Sequence, residues 1–280
     1  MIRLARYLTL AITGTTPRAI NKASACLLLA MALSITNAQA ELIWHWQDPF
    51  SPQEKTRLKH WVSKTAAAVE QTVAPYPFDV HVYFHRMAGK GEPVPWANTR
   101  RRPNQAIHFH VDPNYSLQQF LQDWTAPHEL SHLLIPYVGQ DYSWFAEGFA
   151  SYLQYRVMHT LGVLTPEQVS QKTHAKISQA QGKYIYHKIP FHYAAQMLRE
   201  SKQYPVYYWG GAAFFQSLDA RLQREQSSLV AVLKDYLACC RLQAKNLSNL
   251  VATLDRLAPA QVFAPALQAA TTEAGFPLWE

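Results

Sequence analysis

The sequence predicts an α+β fold: a small N-terminal mixed sheet with one helix, followed by a mostly α-helical lobe, with a cleft between the two parts. Two observations indicate this organisation. Three short segments between residues 42 and 112 alternate apolar and polar side chains, which is the period of half-buried strands. From Ser116 onward the apolar spacing is helical almost without interruption.

The N-terminal half contains three predicted strands and one predicted helix. The strands are LIWHWQ (42–47), FDVHVYFHR (78–86) and QAIHFHVD (105–112). Ser51, Pro52 and Glu54 make a capping box with proline in the first turn, which predicts a helix that runs to about Val73. Residues 87–104 are rich in glycine and proline and are predicted to form a loop.

The second half is predicted to be helical throughout. Helices are expected near residues 116–135 (broken or restarted near Pro127), 142–161, 165–180, 190–201, 205–224, 227–238, 246–257 and 260–273. Thr165 and Gln168 form a second capping box. We expect residues 41–280 to be a single domain, with a sheet-containing part (41–115) and a helical part (116–280).

Residues 1–40 have the features of a secretory signal peptide. They carry Arg3, Arg6, Arg18 and Lys22 but no acid, then the apolar run ACLLLAMALSI (25–35) and the small-residue end NAQA (37–40). The run is too short to span a bilayer, which takes about 20 residues. We expect cleavage after Ala40, export to the periplasm or the medium, and no stable membrane insertion afterwards. An uncleaved anchor is the alternative.

Charge argues against a nucleic-acid partner. The formal net charge is +7, and it falls to +3 once the four basic residues of the signal are removed. The one basic cluster, TRRRP (99–103), is expected to be a solvated loop, with recognition of an acidic partner or a membrane surface as the alternative.

Cysteine usage gives no disulfide framework. The mature chain holds only the adjacent pair Cys239 and Cys240. Because neighbouring cysteines close a strained ring, we do not expect them to bond to each other.

The segment TAPHELSHLLIP (125–136) carries a potential metal site. On a helix, His128 and His132 lie one turn apart on one face, so both can direct a ring nitrogen at one ion. Glu129 is rotated about 100° from His128 on the helix and is free to reach a water molecule instead of the metal. A chance match on an ordinary buried helix is the alternative.

The next predicted helix, SWFAEGFASYLQY (143–155), offers a third ligand. Glu147 lies among large apolar and aromatic residues, where an isolated carboxylate is costly to ionise. A zinc ion would supply the missing positive charge. The alternatives are that Glu147 pairs with an arginine such as Arg156, or lies at the rim.

These motifs resemble the gluzincin metallopeptidases. HELSH followed by Trp-x-x-Glu-Gly-x-Ala-x-Tyr is similar to the aminopeptidase N and leukotriene hydrolase group and to the glycyl aminopeptidases, and YYWGGAAFFQSLDARL (207–222) resembles a later segment of these enzymes. The likeness covers roughly residues 110–240. It implies that His128, His132 and Glu147 bind one Zn²⁺, that Glu129 is the general base, and that Tyr208 supports the transition state.

The chain departs from aminopeptidase N in three places. The interval between His132 and Glu147 is shorter, Gly210 stands where that family usually has lysine, and the Gly-x-Met-Glu-Asn stretch that holds a free amino terminus is missing. NQAIHFHVDPN (104–114) stands in its place. The compact peptidase MA-like gluzincins are therefore the closer match, and specificity for amino termini is not implied.

The predicted function is that of an exported zinc-dependent metallopeptidase acting on a peptide or protein substrate. Zinc lowers the pKa of a bound water, Glu129 takes its proton, and a phenol helps to polarise the carbonyl. An inactive binding or scaffolding protein and a zinc hydrolase of a non-peptide amide are the alternatives. Endo- or exo-cleavage and the oligomeric state are left open. The role of His108 and His110 is also left open, with substrate contact, packing and a second metal as the possibilities.

Overall fold

Four short strands form one mixed sheet in the computed structural model, which describes residues 40–278. The strands are β1 (Leu42–Trp46), β2 (Val80–Arg86), β3 (Trp96–Arg100) and β4 (Ala106–Val111), in the order β1-β2-β4-β3. Strands β1, β2 and β4 are parallel, and β3 runs antiparallel to β4 at one edge. The predicted signal peptide lies almost entirely outside the described residues.

The helical part follows the sheet, which confirms the predicted α+β class. The helices are α1 (Pro52–Thr72), α2 (Leu117–Gln122), α3 (Thr125–His132), α4 (Ser143–Thr160), α5 (Pro166–Lys183), α6 (Phe191–Glu200), α7 (Tyr204–Arg224), α8 (Leu229–Cys239), α9 (Leu247–Leu257) and α10 (Phe263–Thr272). Both predicted capping boxes are formed. Among the described residues, none of these helices combines the length and the apolar character needed to cross a bilayer.

The predicted break in the first helical region falls just before Thr125 and not at Pro127. Pro127 lies in the first turn of α3, where a backbone N–H would have no partner within the helix, so the ring is tolerated there. The short α3 therefore begins where the metal motif begins.

One prediction for the N-terminal half is wrong. Residues 87–104 were expected to form a loop, but Trp96–Arg100 is strand β3, paired with β4 along its whole length. The glycine and proline on either side hid a five-residue strand whose pairing comes from a partner further along the chain. As an edge strand, β3 keeps one side of its backbone free of strand partners within the described residues.

The two faces of the sheet differ in character. Val82, Phe84, Ile107 and Phe109 are fully buried on one face, and the indole of Trp61 from α1 packs 4.9 Å from the ring of Phe109. The residues that alternate with them point to the opposite face and are partly exposed. The core therefore lies on the α1 side of the sheet.

The basic cluster is only partly the solvated loop that was predicted. Arg100 and Arg102 are exposed, but Arg101 donates hydrogen bonds to the backbone carbonyls of His132 (2.6 Å) and Ile135 (3.3 Å). Arg241 donates to the Leu133 carbonyl (3.0 Å). Two guanidinium groups thus cap the C-terminal end of α3, where unpaired carbonyls and the helix dipole favour positive charge.

The expectation for the cysteines is also wrong, because Cys239 and Cys240 form a disulfide. Cys239 is the last residue of α8, and Cys240 leaves the helical conformation with φ −136°. The bond therefore lies at the point where α8 ends.

Helix α4 packs directly on α7 through two glycines. A Cβ atom built on Gly148 would lie 2.2 Å from the carbonyl carbon of Gly211, and one built on Gly211 would lie 2.4 Å from the Trp144 carbonyl oxygen. The glycines of the YYWGG segment lie inside α7 and bring that helix against α4, which carries Glu147.

Replacing Gly148 with alanine should therefore destabilise the protein. The new methyl group meets backbone, so the two helices must separate, and overpacking of this kind costs at least ~1–3 kcal/mol. Thermal unfolding measures the loss. Gly182→Ala in α5 is the control: nothing lies within 4 Å of the added atom, so this change should be neutral or slightly stabilising. Equal melting temperatures for the two variants would contradict the packing argument.

Candidate metal centre

The two histidines of the HELSH segment converge as the helical spacing predicts. His128 and His132 are 3% and 6% exposed, and their Nε2 atoms lie 3.2 Å apart. One turn of α3 separates them, so both rings point into the space between α3 and α4.

Glu147 of α4 completes a triangle of ligand atoms. Its Oε2 atom lies 3.1 Å from Nε2 of His128 and 3.5 Å from Nε2 of His132. Zinc bonds to nitrogen and oxygen ligands measure ~2.0–2.2 Å. Two atoms bound to one ion are then about 3 to 3.5 Å apart, so the donor set fits a single zinc ion.

Arg156 does not neutralise Glu147. Its guanidinium contacts the Tyr152 hydroxyl (2.6 Å) and the carboxylate of Asp219 (3.4 Å). The Glu147 side chain is 27% exposed at its cleft, and its ionic contacts are the two imidazoles. The predicted alternative, an arginine pair, is not formed with Arg156.

Gln154 fixes the protonation of the first imidazole. Its side-chain oxygen Oε1 lies 3.0 Å from Nδ1 of His128, and an amide oxygen can only accept. Nδ1 of His128 therefore carries a proton, and Nε2 is the atom that faces Glu147 and would bind a metal. Glu147 and Gln154 both come from α4, so one helix supplies a ligand atom and the group that orients another ligand.

The electrostatics of the centre favour a positive charge between these residues. Burial raises the pKa of Glu147, but the charge of His132 and the hydrogen bonds from both histidines outweigh it, and the pKa lies well below its ordinary value. Burial lowers the pKa of His128, but contact with Glu147 reverses this and raises it overall. The carboxylate is thus stabilised as an anion, which is the form that binds a metal.

Glu129 is the second carboxylate near the histidines. One of its oxygens lies within 4.8 Å of the ligand atoms of both His128 and His132, so distance alone also allows it to bind a metal. Its Oε2 atom, however, accepts a hydrogen bond of 2.8 Å from the Thr99 hydroxyl on β3. Because Glu147 makes the shorter approaches, we assign the third ligand position to Glu147 and leave Glu129 facing the cleft.

The centre lies in a cleft of about 630 Å³ between β3 and the helices α3, α4 and α7. Tyr208 lines it, with its ring centre 6.0 Å from that of His128. Burial and the carboxylates of Glu147 and Glu129 raise the pKa of Tyr208, so the phenol keeps its proton. The neighbouring Tyr207 instead donates to the Ser143 hydroxyl at 2.7 Å.

The structure brings together every residue that the sequence suggested for the centre: His128, Glu129, His132, Glu147 and Tyr208 all line the cleft. His108 and His110 do not line it. They share a face of β4 opposite to that of Ile107, which pairs with Thr99, because alternate residues of a strand point to opposite sides.

Three contributors were not found from the sequence: Thr99, Arg101 and Gln154. Thr99 and Arg101 belong to the stretch that was predicted to be a loop, so no pattern placed them beside α3. Gln154 lies two turns after Glu147 on α4, and this spacing is a signal that could have identified it.

Two comparisons with known proteins give no relative for this chain. Neither a scan against models of protein families nor a search among curated proteins finds a match to the chain.

Variants of the two carboxylates should separate their roles. Glu147→Ala should lose bound zinc after dialysis, because it removes an oxygen 3.1 Å from the His128 ligand atom, whereas Glu129→Ala should retain close to one equivalent. Elemental analysis of the purified mature protein measures both. Retention of zinc by Glu147→Ala together with its loss from Glu129→Ala would exchange the two assignments.

Proposed function

We propose that the protein is an exported zinc-dependent metallopeptidase of the gluzincin, peptidase MA-like type. The observation that carries this proposal is the convergence of His128, His132 and Glu147 to within 3.5 Å of one another, beside a carboxylate and a phenol that are not needed as ligands. Export is inferred from the sequence of residues 1–40 alone.

A peptide substrate is supported by the edge strand that borders the cleft. Trp96, Ala97, Asn98 and Thr99 of β3 line the cavity, and β3 pairs on only one side with a strand of the described chain. An extended peptide can add to such an edge through backbone hydrogen bonds, which do not depend on its side chains. This arrangement would place a peptide bond beside α3.

The chain's own groups would divide the work at the centre. A bound Zn²⁺ would act as a Lewis acid and lower the pKa of water there. Glu129 would accept the proton of the attacking water at its carboxylate and deliver it to the leaving amine. Thr99 would hold that carboxylate in place by its 2.8 Å hydrogen bond. The Tyr208 hydroxyl would donate to the carbonyl oxygen as negative charge develops on it.

Two other functions compete with this one. A catalytically inactive binding protein would have no use for a carboxylate held in the cleft but outside the ligand triangle, so the position of Glu129 favours an enzyme. A zinc hydrolase of a non-peptide amide would use the same ligands and the same base. It would not need the free edge of β3, which favours the peptidase.

The proposal is tested by incubating the mature protein with a library of peptides and identifying the cleaved bonds by mass spectrometry. Zinc-loaded protein should cleave, and removal of zinc by a chelator should abolish cleavage. Glu129→Gln is the matched control, since it should retain zinc and fold while losing activity by several orders of magnitude. Cleavage by Glu129→Gln at the wild-type rate would refute the assigned base, and zinc-loaded protein that cleaves no peptide would refute the peptidase.

Tyr208→Phe should lower kcat by about 10²-fold or more, the size of the loss of one oxyanion donor. The reason is that a phenol strengthens its hydrogen bond only as charge develops, so KM should change less than kcat. Zinc content and melting temperature should stay close to those of the wild type. Tyr207→Phe is the control and should be mild, because that hydroxyl is bonded to Ser143. Full activity in both variants would refute the tyrosine assignment.

A further inference from the structure

The face of the sheet that points away from the core carries a row of five histidines. They are His45 of β1, His81 and His85 of β2, and His108 and His110 of β4. All five side chains are partly exposed. They come from three adjacent strands. The pairing register of the sheet therefore brings them side by side, and their spacing in the sequence does not.

The rings form a continuous stack with Tyr83 in the middle. The ring centre of Tyr83 lies 4.2 Å from that of His45 and 4.4 Å from that of His108, with interplanar angles of 10° and 5°. Two residues further along the same strands, His85 of β2 and His110 of β4 stack at 4.3 Å, and His85 also stacks on His108 at 5.3 Å. Most of the rings are therefore held by contact with another aromatic ring on each side.

Two pairs of ring nitrogens lie at the separation that one metal ion requires. Nε2 of His85 is 3.0 Å from Nδ1 of His108, and Nε2 of His45 is 2.9 Å from Nδ1 of His81. Nitrogens bound to one ion at ~2.0–2.1 Å are about 2.9 to 3.4 Å apart, from right-angle to tetrahedral geometry. In the described structure the same pairs are also within hydrogen-bond distance, so an ion would take the place of a shared proton.

Burial and the charges beside the row act on two of its imidazoles. Burial, then Arg100 and the neighbouring histidines, lower the pKa of His108 to about 4. Burial and then His85 lower the pKa of His110, while Asp48 opposes them. Arg100 disfavours a cation and Asp48 favours one, so the two nearby charges oppose each other.

Packing alone does not explain this composition. Stacking would be served by any aromatic residue, yet five of the six stacked rings that β1, β2 and β4 present on this face are histidines, and the sixth is Tyr83. Imidazole differs from those rings in having a lone pair that suits zinc, copper and nickel. What is particular to this face is therefore its set of imidazole nitrogens.

We propose that this histidine face is a second metal site, with His85 and His108 as its first two ligands. It takes a divalent transition-metal ion, and among such ions Cu²⁺ binds most tightly, as for imidazole sites in general. The site is separate from the proposed zinc centre: none of the five histidines lines the cleft of His128, His132 and Glu147. The proposal of this second site is therefore independent of the proposed peptidase activity.

The test is a Cu²⁺ titration of the zinc-loaded mature protein, followed by calorimetry and by electron paramagnetic resonance. Wild-type protein should take up Cu²⁺ with a nitrogen-coordinated spectrum. His85→Gln/His108→Gln should bind Cu²⁺ at least tenfold more weakly and lose that spectrum while keeping its zinc. The matched control is His60→Gln/His174→Gln, which changes two exposed histidines outside the row and should bind as the wild type does.

Two results would overturn the proposal. One is an unchanged copper affinity and spectrum in His85→Gln/His108→Gln, and the other is an equal loss of copper binding in the control. If the double variant does not fold, the single variant His85→Gln answers the same question, since it removes one nitrogen of the 3.0 Å pair. Loss of zinc from the His128 centre would be detected separately by elemental analysis.

Discussion

A carboxylate held between two imidazoles is the interaction on which the centre depends. Glu147 reaches Nε2 of His128 and of His132 only because α4 lies directly against α3. An ionised carboxylate in so narrow a cleft needs positive charge beside it. Either a protonated imidazole or a metal ion can provide that charge at the position between the three side chains. Helices α3 and α4 together determine this position.

The surrounding structure serves to hold those two helices. Gly148 follows Glu147 and meets Gly211 of α7, so the close packing of α7 against α4 helps to set the position of Glu147, the proposed third ligand. At the other side, Arg101 and Arg241 bind the carbonyls at the end of α3. Without them, the short helix that carries both histidines would end in unpaired polar groups. Contacts between residues that are far apart in the sequence therefore hold α3 and α4, and with them the two histidines and Glu147, in place.

Most of the fold and the residues at the centre of the site could be predicted from the sequence, because local periodicity determines where they lie. His128, Glu129 and His132 follow one helical turn, and Glu147 follows on the next helix, so local periodicity places them. The strand β3 was missed because its pairing with β4 is a tertiary contact inside a glycine- and proline-rich stretch. Thr99 and Arg101 were missed with it. The Cys239–Cys240 bond was missed because a general rule about adjacent cysteines took no account of the end of a helix between them.

The same distinction separates two groups among the chain's histidines, the pair in α3 and the row on the sheet. The pair in α3 is brought to 3.2 Å by the helical repeat, which acts within four residues. The pairs on the sheet reach 2.9 and 3.0 Å through parallel register between strands more than 20 residues apart. A period of two then directs the sheet histidines away from the face that Thr99 shares with Ile107. Strand β3 therefore presents Thr99 on the face of Ile107, while on the other face its Trp96, which also lines the cleft, lies 4.6 Å from His110.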